Sequence, residues 1–185
     1  MDKIPKWARE ARRRWKYDGS ERPTFARKPD TGQESVWDYP RPPRIERDHR
    51  EITVRYNELV IAKSVNALRF LETASAPTFY LPRTDVKMER LEQSDRVTRC
   101  EWKGYGTYWN IEVGEELLID AAWSYEDPFP DFRVIAGMIA FYPTQLTCLV
   151  DGERVKPQPG GFYGGWVTGD IVGPMKGEQG SDSWW

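Results

Sequence analysis

Ile52-Thr53-Val54-Arg55-Tyr56-Asn57-Glu58-Leu59-Val60-Ile61-Ala62 decides the fold class. Ile52, Val54 and Tyr56 alternate with polar residues, the period-two pattern of a strand with one buried face. Asn57-Glu58 then supplies a turn into a second apolar run, so the stretch reads as an antiparallel hairpin. Similar patterns follow it. Leu68, Phe70 and Glu72 fall on one face of a further strand. Thr78 to Leu81 is a short strand closed by Pro82, and Leu117 to Tyr125 is another. Val97 to Lys103 and Tyr108 to Val113 read as two strands joined through Gly104-Tyr105-Gly106. Met138 to Tyr142 and Leu146 to Val150 read as a closing pair that ends at Asp151-Gly152. Thr84 would cap a short helix over Asp85 to Leu91, and Phe132 to Gly137 would form one helical turn. Many short strands at regular spacing predict a mainly β protein, an antiparallel sheet curled into a barrel or a two-sheet sandwich.

Outward from this body, assigned to 45–155, the two ends read differently. Residues 1–44 open with a helical pattern from Pro5 to Tyr17, in which Trp7, Ala11 and Trp15 share a face. A Pro-rich strap carrying Phe25, Trp37 and Tyr39 follows. Residues 156–185 form a second strap, with Phe162, Tyr163, Trp166, Trp184 and Trp185 set among glycines. Aromatic side chains on this scale need apolar cover, so both straps are expected to lie across the body.

Composition narrows the function classes. A chain of 185 residues suits one compact domain that folds without disulfide or metal. No apolar run reaches the ~18 residues of a membrane span, and Met1-Asp2-Lys3-Ile4-Pro5 lacks the apolar core of a secretory signal. A soluble, cytoplasmic protein without membrane contact is expected. Cys100 and Cys148 stand far apart, and with the single His49 they cannot readily supply the ligands of a zinc site; no metal and no cofactor is expected. Residues 1–50 carry 14 Lys and Arg against 9 Asp and Glu, while the remainder is acidic. The basic leader could touch nucleic acid, but the acidic body and the net charge of −2 count against it. There is no phosphate-binding P-loop, no dinucleotide-binding glycine motif and no nucleophile elbow.

Several stretches carry a resemblance. They are Gln33-Glu34-Ser35-Val36-Trp37-Asp38-Tyr39-Pro40, Phe79-Tyr80-Leu81-Pro82, Cys100-Glu101-Trp102-Lys103-Gly104 with Tyr108-Trp109, Ala122-Trp123-Ser124-Tyr125, Ala140-Phe141-Tyr142 with Val150-Asp151-Gly152, and Phe162-Tyr163-Gly164-Gly165-Trp166. In order and spacing the chain resembles, over nearly its whole length, the domain of unknown function 427 family, which also bears a nucleotidyltransferase-like label. The resemblance implies a β-tent fold of the Mss4-like type. Relatives of that fold hold zinc through paired cysteines, which this sequence lacks. Nothing in the residues supports nucleotidyl transfer.

The candidate site follows from residues and resemblance together. Glu72 ends an apolar strand face, where burial would raise its pKa toward acid–base use; the alternative is a strand-end carboxylate meeting an arginine such as Arg69. Lys103 abuts a glycine-flanked turn, where it could bind an anion or act as a nucleophile. Cys100 is either a reactive thiol or a small buried hydrophobe. The resemblance adds Tyr80, Tyr108 and Trp123 as ligand-binding residues. Glu72 and Lys103 are expected to act as a pair in one aromatic-lined pocket holding a small molecule of unknown identity. Whether catalysis follows binding is left open, as are a non-catalytic scaffold role and a homodimer.

Overall fold

The computed structural model describes residues 4–181. Met1 to Lys3, read above for a secretory signal, and the strap aromatics Trp184 and Trp185 lie outside the described residues. The helix α1 (Lys6–Arg12) is shorter than its pattern predicts. It stops because the following residues are drawn down onto the body, where the Trp15 indole donates to Glu101 Oε1 at 2.9 Å.

The strands run in the order β1 (Glu34–Ser35), β2 (Arg44–Asp48), β3 (Ile52–Tyr56), β4 (Leu59–Ser64), β5 (Ala67–Leu71), β6 (Thr78–Tyr80), β7 (Leu91–Cys100) and β8 (Gly104–Val113). They continue as β9 (Glu116–Ser124), β10 (Ile139–Phe141), β11 (Thr147–Val150), β12 (Glu153–Arg154), β13 (Lys156–Pro157), β14 (Trp166–Val167) and β15 (Ile171–Val172). The body is antiparallel and mainly β, as its alternation predicts. Its strands form three open sheets, ordered β10-β9-β8-β7, β12-β11-β3-β4 and β2-β5-β6, and no barrel closes. A bridge between Leu81 and Ile139 ties the third sheet to the first. Ile52, Val54, Ile61, Phe79, Ile111, Ile139, Phe141 and Trp166 are buried together in the main core.

The β3–β4 hairpin forms as read, with Tyr56 opposite Leu59 and Asn57 in the left-handed backbone region that its short polar side chain tolerates. Three other readings are corrected. The turn between β7 and β8 is Glu101-Trp102-Lys103, with Cys100 opposite Gly104; Gly104, at φ 103°, is the residue that returns the chain into β8. Met138 to Tyr142 and Leu146 to Val150 do not pair. β10 pairs with β9 and β11 with β3, which puts Phe141 and Cys148 on two sheets facing one core. Asp85 to Leu91 forms no helix: one 3-10 turn, Arg83–Asp85, precedes and ends at Asp85, a second spans Met88–Arg90, and Thr84 caps neither.

Both straps are packed down. Val36, Trp37 and Tyr39 share a buried cluster with Leu71, Ile171 and Met175. β1 and β15 pair in parallel, and Trp37 Nε1 donates to the Pro174 carbonyl at 2.8 Å. The two ends of the chain therefore hold each other as well as the body.

Candidate functional site

Between the aromatic face of the body and the two straps lies a cavity of about 300 Å³. Phe70, Trp123, Tyr108 and Tyr125 form its wall, and Trp15, Phe162, Tyr163 and Lys176 reach it from the straps. Alternation on β5 does what the pattern predicts. Phe70 points to the cavity, and Glu72, two residues on, follows it there.

Glu72 is not a raised-pKa acid. Its Oε1 accepts from Arg41 Nε at 3.1 Å and from Lys176 Nζ at 3.2 Å, one cation from each strap. Burial works to raise the pKa, but Lys176 first, then Arg41 and Lys103, overcome it, and the carboxyl is held below its ordinary value. The arginine it meets is Arg41; Arg69 is engaged instead with Glu34, Glu46 and Asp48. Arg41 and Lys176 each also lie 3.9 Å from the centroid of the Trp15 ring. The Arg41 guanidinium further donates to the carbonyls of Tyr17 and Thr73. The carboxylate is the centre of a clamp that ties both straps to the end of β5.

Lys103 is built differently. It belongs to the tight turn after β7, and the turn is gripped from outside by α1. Arg12 donates to the carbonyl oxygens of Glu101 and Trp102 at 2.7 and 3.2 Å, and its guanidinium lies over the Trp102 ring. With the turn fixed, the Lys103 side chain runs inward; the residue is only 8% exposed. Its ammonium sits 3.6 Å from the Phe70 ring centroid, 5.3 Å from Tyr125 and 5.8 Å from Tyr80. Among the described residues no carboxylate comes within ion-pairing distance of it, so the expected Glu72–Lys103 ion pair is not made. The acceptor expected for it is occupied by Arg41 and Lys176. Burial disfavours the charge, whereas Tyr80, Cys100 and Glu72 favour it, and the balance lies above the ordinary lysine value. Burial keeps the Tyr80 and Cys100 protons in place at neutral pH, which leaves Glu72 as the negative charge among those three.

The remaining residues read from the sequence divide. Cys100, Tyr108 and Trp123 line the same cavity as Glu72 and Lys103. Tyr80 is fully buried behind the wall, its hydroxyl without a hydrogen-bond partner among the described residues. Tyr108 Oη lies 3.1 Å from Thr98 Oγ1, and the Trp123 ring packs on Tyr142 with centroids 4.4 Å apart. Trp15, Arg41 and Lys176 escaped the sequence reading. Trp15 was legible as an aromatic in search of cover; no local pattern marks Arg41 or Lys176 as partners of Glu72. Among the described residues no group of three or more His, Cys, Asp and Glu is placed to hold a metal ion, and no helix is long and apolar enough to cross a membrane.

The fold and cavity define an open-sheeted antiparallel β-domain with an aromatic pocket roofed by its own ends. The chain belongs to the family described as domain of unknown function DUF427, which it matches over residues 44–155. No curated protein matches it. The matched segment carries Glu72, Cys100, Lys103, Tyr108 and Trp123. The end stretches that share in the resemblance, 33–40 and 162–166, lie outside it, as do Trp15, Arg41 and Lys176.

Proposed function

We propose that this chain is a small-molecule-binding β-domain whose ligand occupies the strap-roofed cavity, with Lys103 as its polar anchor and Cys100, Tyr108 and Trp123 along its wall. One observation carries the reading: a buried ammonium faces a cavity with ring faces around it and, among the described residues, no carboxylate paired to it. A charge withdrawn from water without an ion-pair partner lacks the compensation that burial ordinarily demands. An apolar pocket with a few convergent polar groups is the usual make-up of a ligand site. If the bound molecule is also turned over, lysine-assisted or acid–base chemistry on a carbonyl- or phosphate-bearing substrate is the natural use of this set.

A second reading, a scaffold without a ligand, draws on the Glu72 clamp, which accounts for four of the polar and aromatic groups as structure. The two readings part on Lys103, which the clamp does not use. A thermal-shift screen of a small-molecule library against the full chain and Lys103→Met separates them. The expected result is a set of compounds that raise the melting temperature of the parent and not of the variant. The absence of any compound that stabilises either protein would favour the scaffold, and compounds that stabilise both equally would remove Lys103 as the anchor.

A further inference from the structure

Resting on the reading of the cavity as a ligand site, we propose that it selects an oxyanion, a carboxylate or phosphate group seated on Lys103, carried on a flat body lying against Trp123 and Tyr108. The inference starts from donors and acceptors. The Lys103 ammonium carries three N–H bonds. Among the described residues its near neighbours are the rings of Phe70, Tyr125 and Tyr80; the Tyr80 hydroxyl also favours its charge, but is one oxygen for three N–H bonds. A ring face attracts a cation but does not replace the directed acceptors that water supplied. The group that completes the site must therefore be an acceptor, and one with a full negative charge returns the most on desolvation. Glu72 is not that group, because Arg41 and Lys176 hold it.

The charge around the cavity points the same way. Arg99, Lys103 and Lys176 line it against Glu72 and Glu101, and Arg41 stands on Glu72 as a fourth cation. Glu101 already accepts from the Trp15 indole. A cationic ligand would meet four cations against two carboxylates among the described residues. A neutral one would leave Lys103 without an anionic partner. The walls set the character of the rest: the rings of Trp123, Tyr108 and Phe70 line the cavity, apolar aromatic surface that suits an aromatic body.

The test uses four probes with one ring and different heads: benzoate, phenyl phosphate, benzamide and benzylamine. Each is titrated into the full chain, Lys103→Met, Lys103→Gln and Lys103→Arg at low salt, with binding followed by calorimetry or by heteronuclear NMR. At least one anion is expected to bind the parent about ten- to a hundredfold more tightly than benzamide, the span of one charge-assisted hydrogen bond. Benzylamine is expected to be weakest, and the tighter anion tells carboxylate from phosphate. The preference should vanish in Lys103→Met and in Lys103→Gln, which keeps a polar end without the charge, and persist in Lys103→Arg, so a folding defect in the methionine variant leaves the glutamine variant to decide. Equal binding of benzamide, tighter binding of benzylamine, or an anion preference indifferent to Lys103→Met would overturn the oxyanion assignment and leave the ligand site standing. If only the library yields ligands, their charge decides: anions support the assignment, and neutral or cationic compounds overturn it. If neither the probes nor the library bind, the site reading fails and this inference falls with it.

Discussion

Lys103 and Glu72 lie on one cavity yet do opposite things for the protein. Glu72 is compensated by Arg41 and Lys176, so removing its charge takes away the carboxylate that both buried cations share. Glu72→Gln is expected to cost about 3–5 kcal/mol, the usual result of breaking a buried ionic cluster. Among the described residues Lys103 has no ion-pair partner, and Lys103→Met keeps the length of the side chain while removing a charge that Glu72 favours from a distance. That variant should cost less than Glu72→Gln, since it breaks no ion pair. Denaturant unfolding of the two single variants and the double variant checks both, and nearly additive effects are expected because the two side chains make no ion pair. A coupling of several kcal/mol would restore the pair read from the sequence. Glu72 also sets a pH dependence. Its folded pKa lies below the ordinary value of 4.5, so the unfolded chain binds its proton first as acid is added. Its contribution is complete above that value and is lost as pH falls toward the folded pKa. Melting temperatures taken from pH 7 down to pH 3 should fall less steeply in Glu72→Gln than in the parent; parallel curves would show that the clamp does not sense its carboxylate.

At the scale of elements, the strap segment Phe162 to Gly165 and the turn after β7 set the shape of the cavity. Gly164 lies against the outer edge of the Trp123 ring, and a Cβ there would be driven into the indole. Gly164→Ala must displace either the strap or the ring, and ligand stabilisation should drop with a smaller loss of melting temperature. Unchanged ligand binding would mean that the Trp123 face is not used. Trp15→Ala removes the ring beneath Arg41 and Lys176 and should weaken both stability and binding, since it loosens the clamp and opens the roof together. These elements also show how far the sequence could be read. The β3–β4 hairpin was legible because alternation and a polar turn are local signals. The turn at Glu101-Trp102-Lys103 was displaced by three residues because Gly104 and Gly106 look like a turn. Only Gly104 has a left-handed backbone, and Gly106 sits inside β8 opposite Thr98. The alternation of Leu68, Phe70 and Glu72 correctly sent the carboxylate to the apolar side. What it met there was illegible, for Arg41 and Lys176 stand 31 and 104 residues away and leave no periodic trace.

For the whole molecule, the family-matched segment and the functional unit differ in extent. Residues 44–155 carry the wall and Lys103, whereas the roof and both cations of the clamp come from outside it. Trp37, almost fully buried, and Tyr39 pack the first strap onto Leu71 of the body. Removing residues 1–44 should lower the melting temperature by several degrees and abolish the ligand response together. Loss of neither, with rapid proteolysis of the same segment in the intact chain, would make the strap dispensable. The central claim is that a ligand completes Lys103 inside this cavity. The most direct measurement is a crystal structure of the full chain with the tightest anion among the four ring probes. The account predicts density in the cavity, with an oxygen of the probe at hydrogen-bond distance from Lys103 Nζ and its ring along Trp123. Density seated elsewhere on the chain, with the space before Lys103 filled only by water, would contradict it.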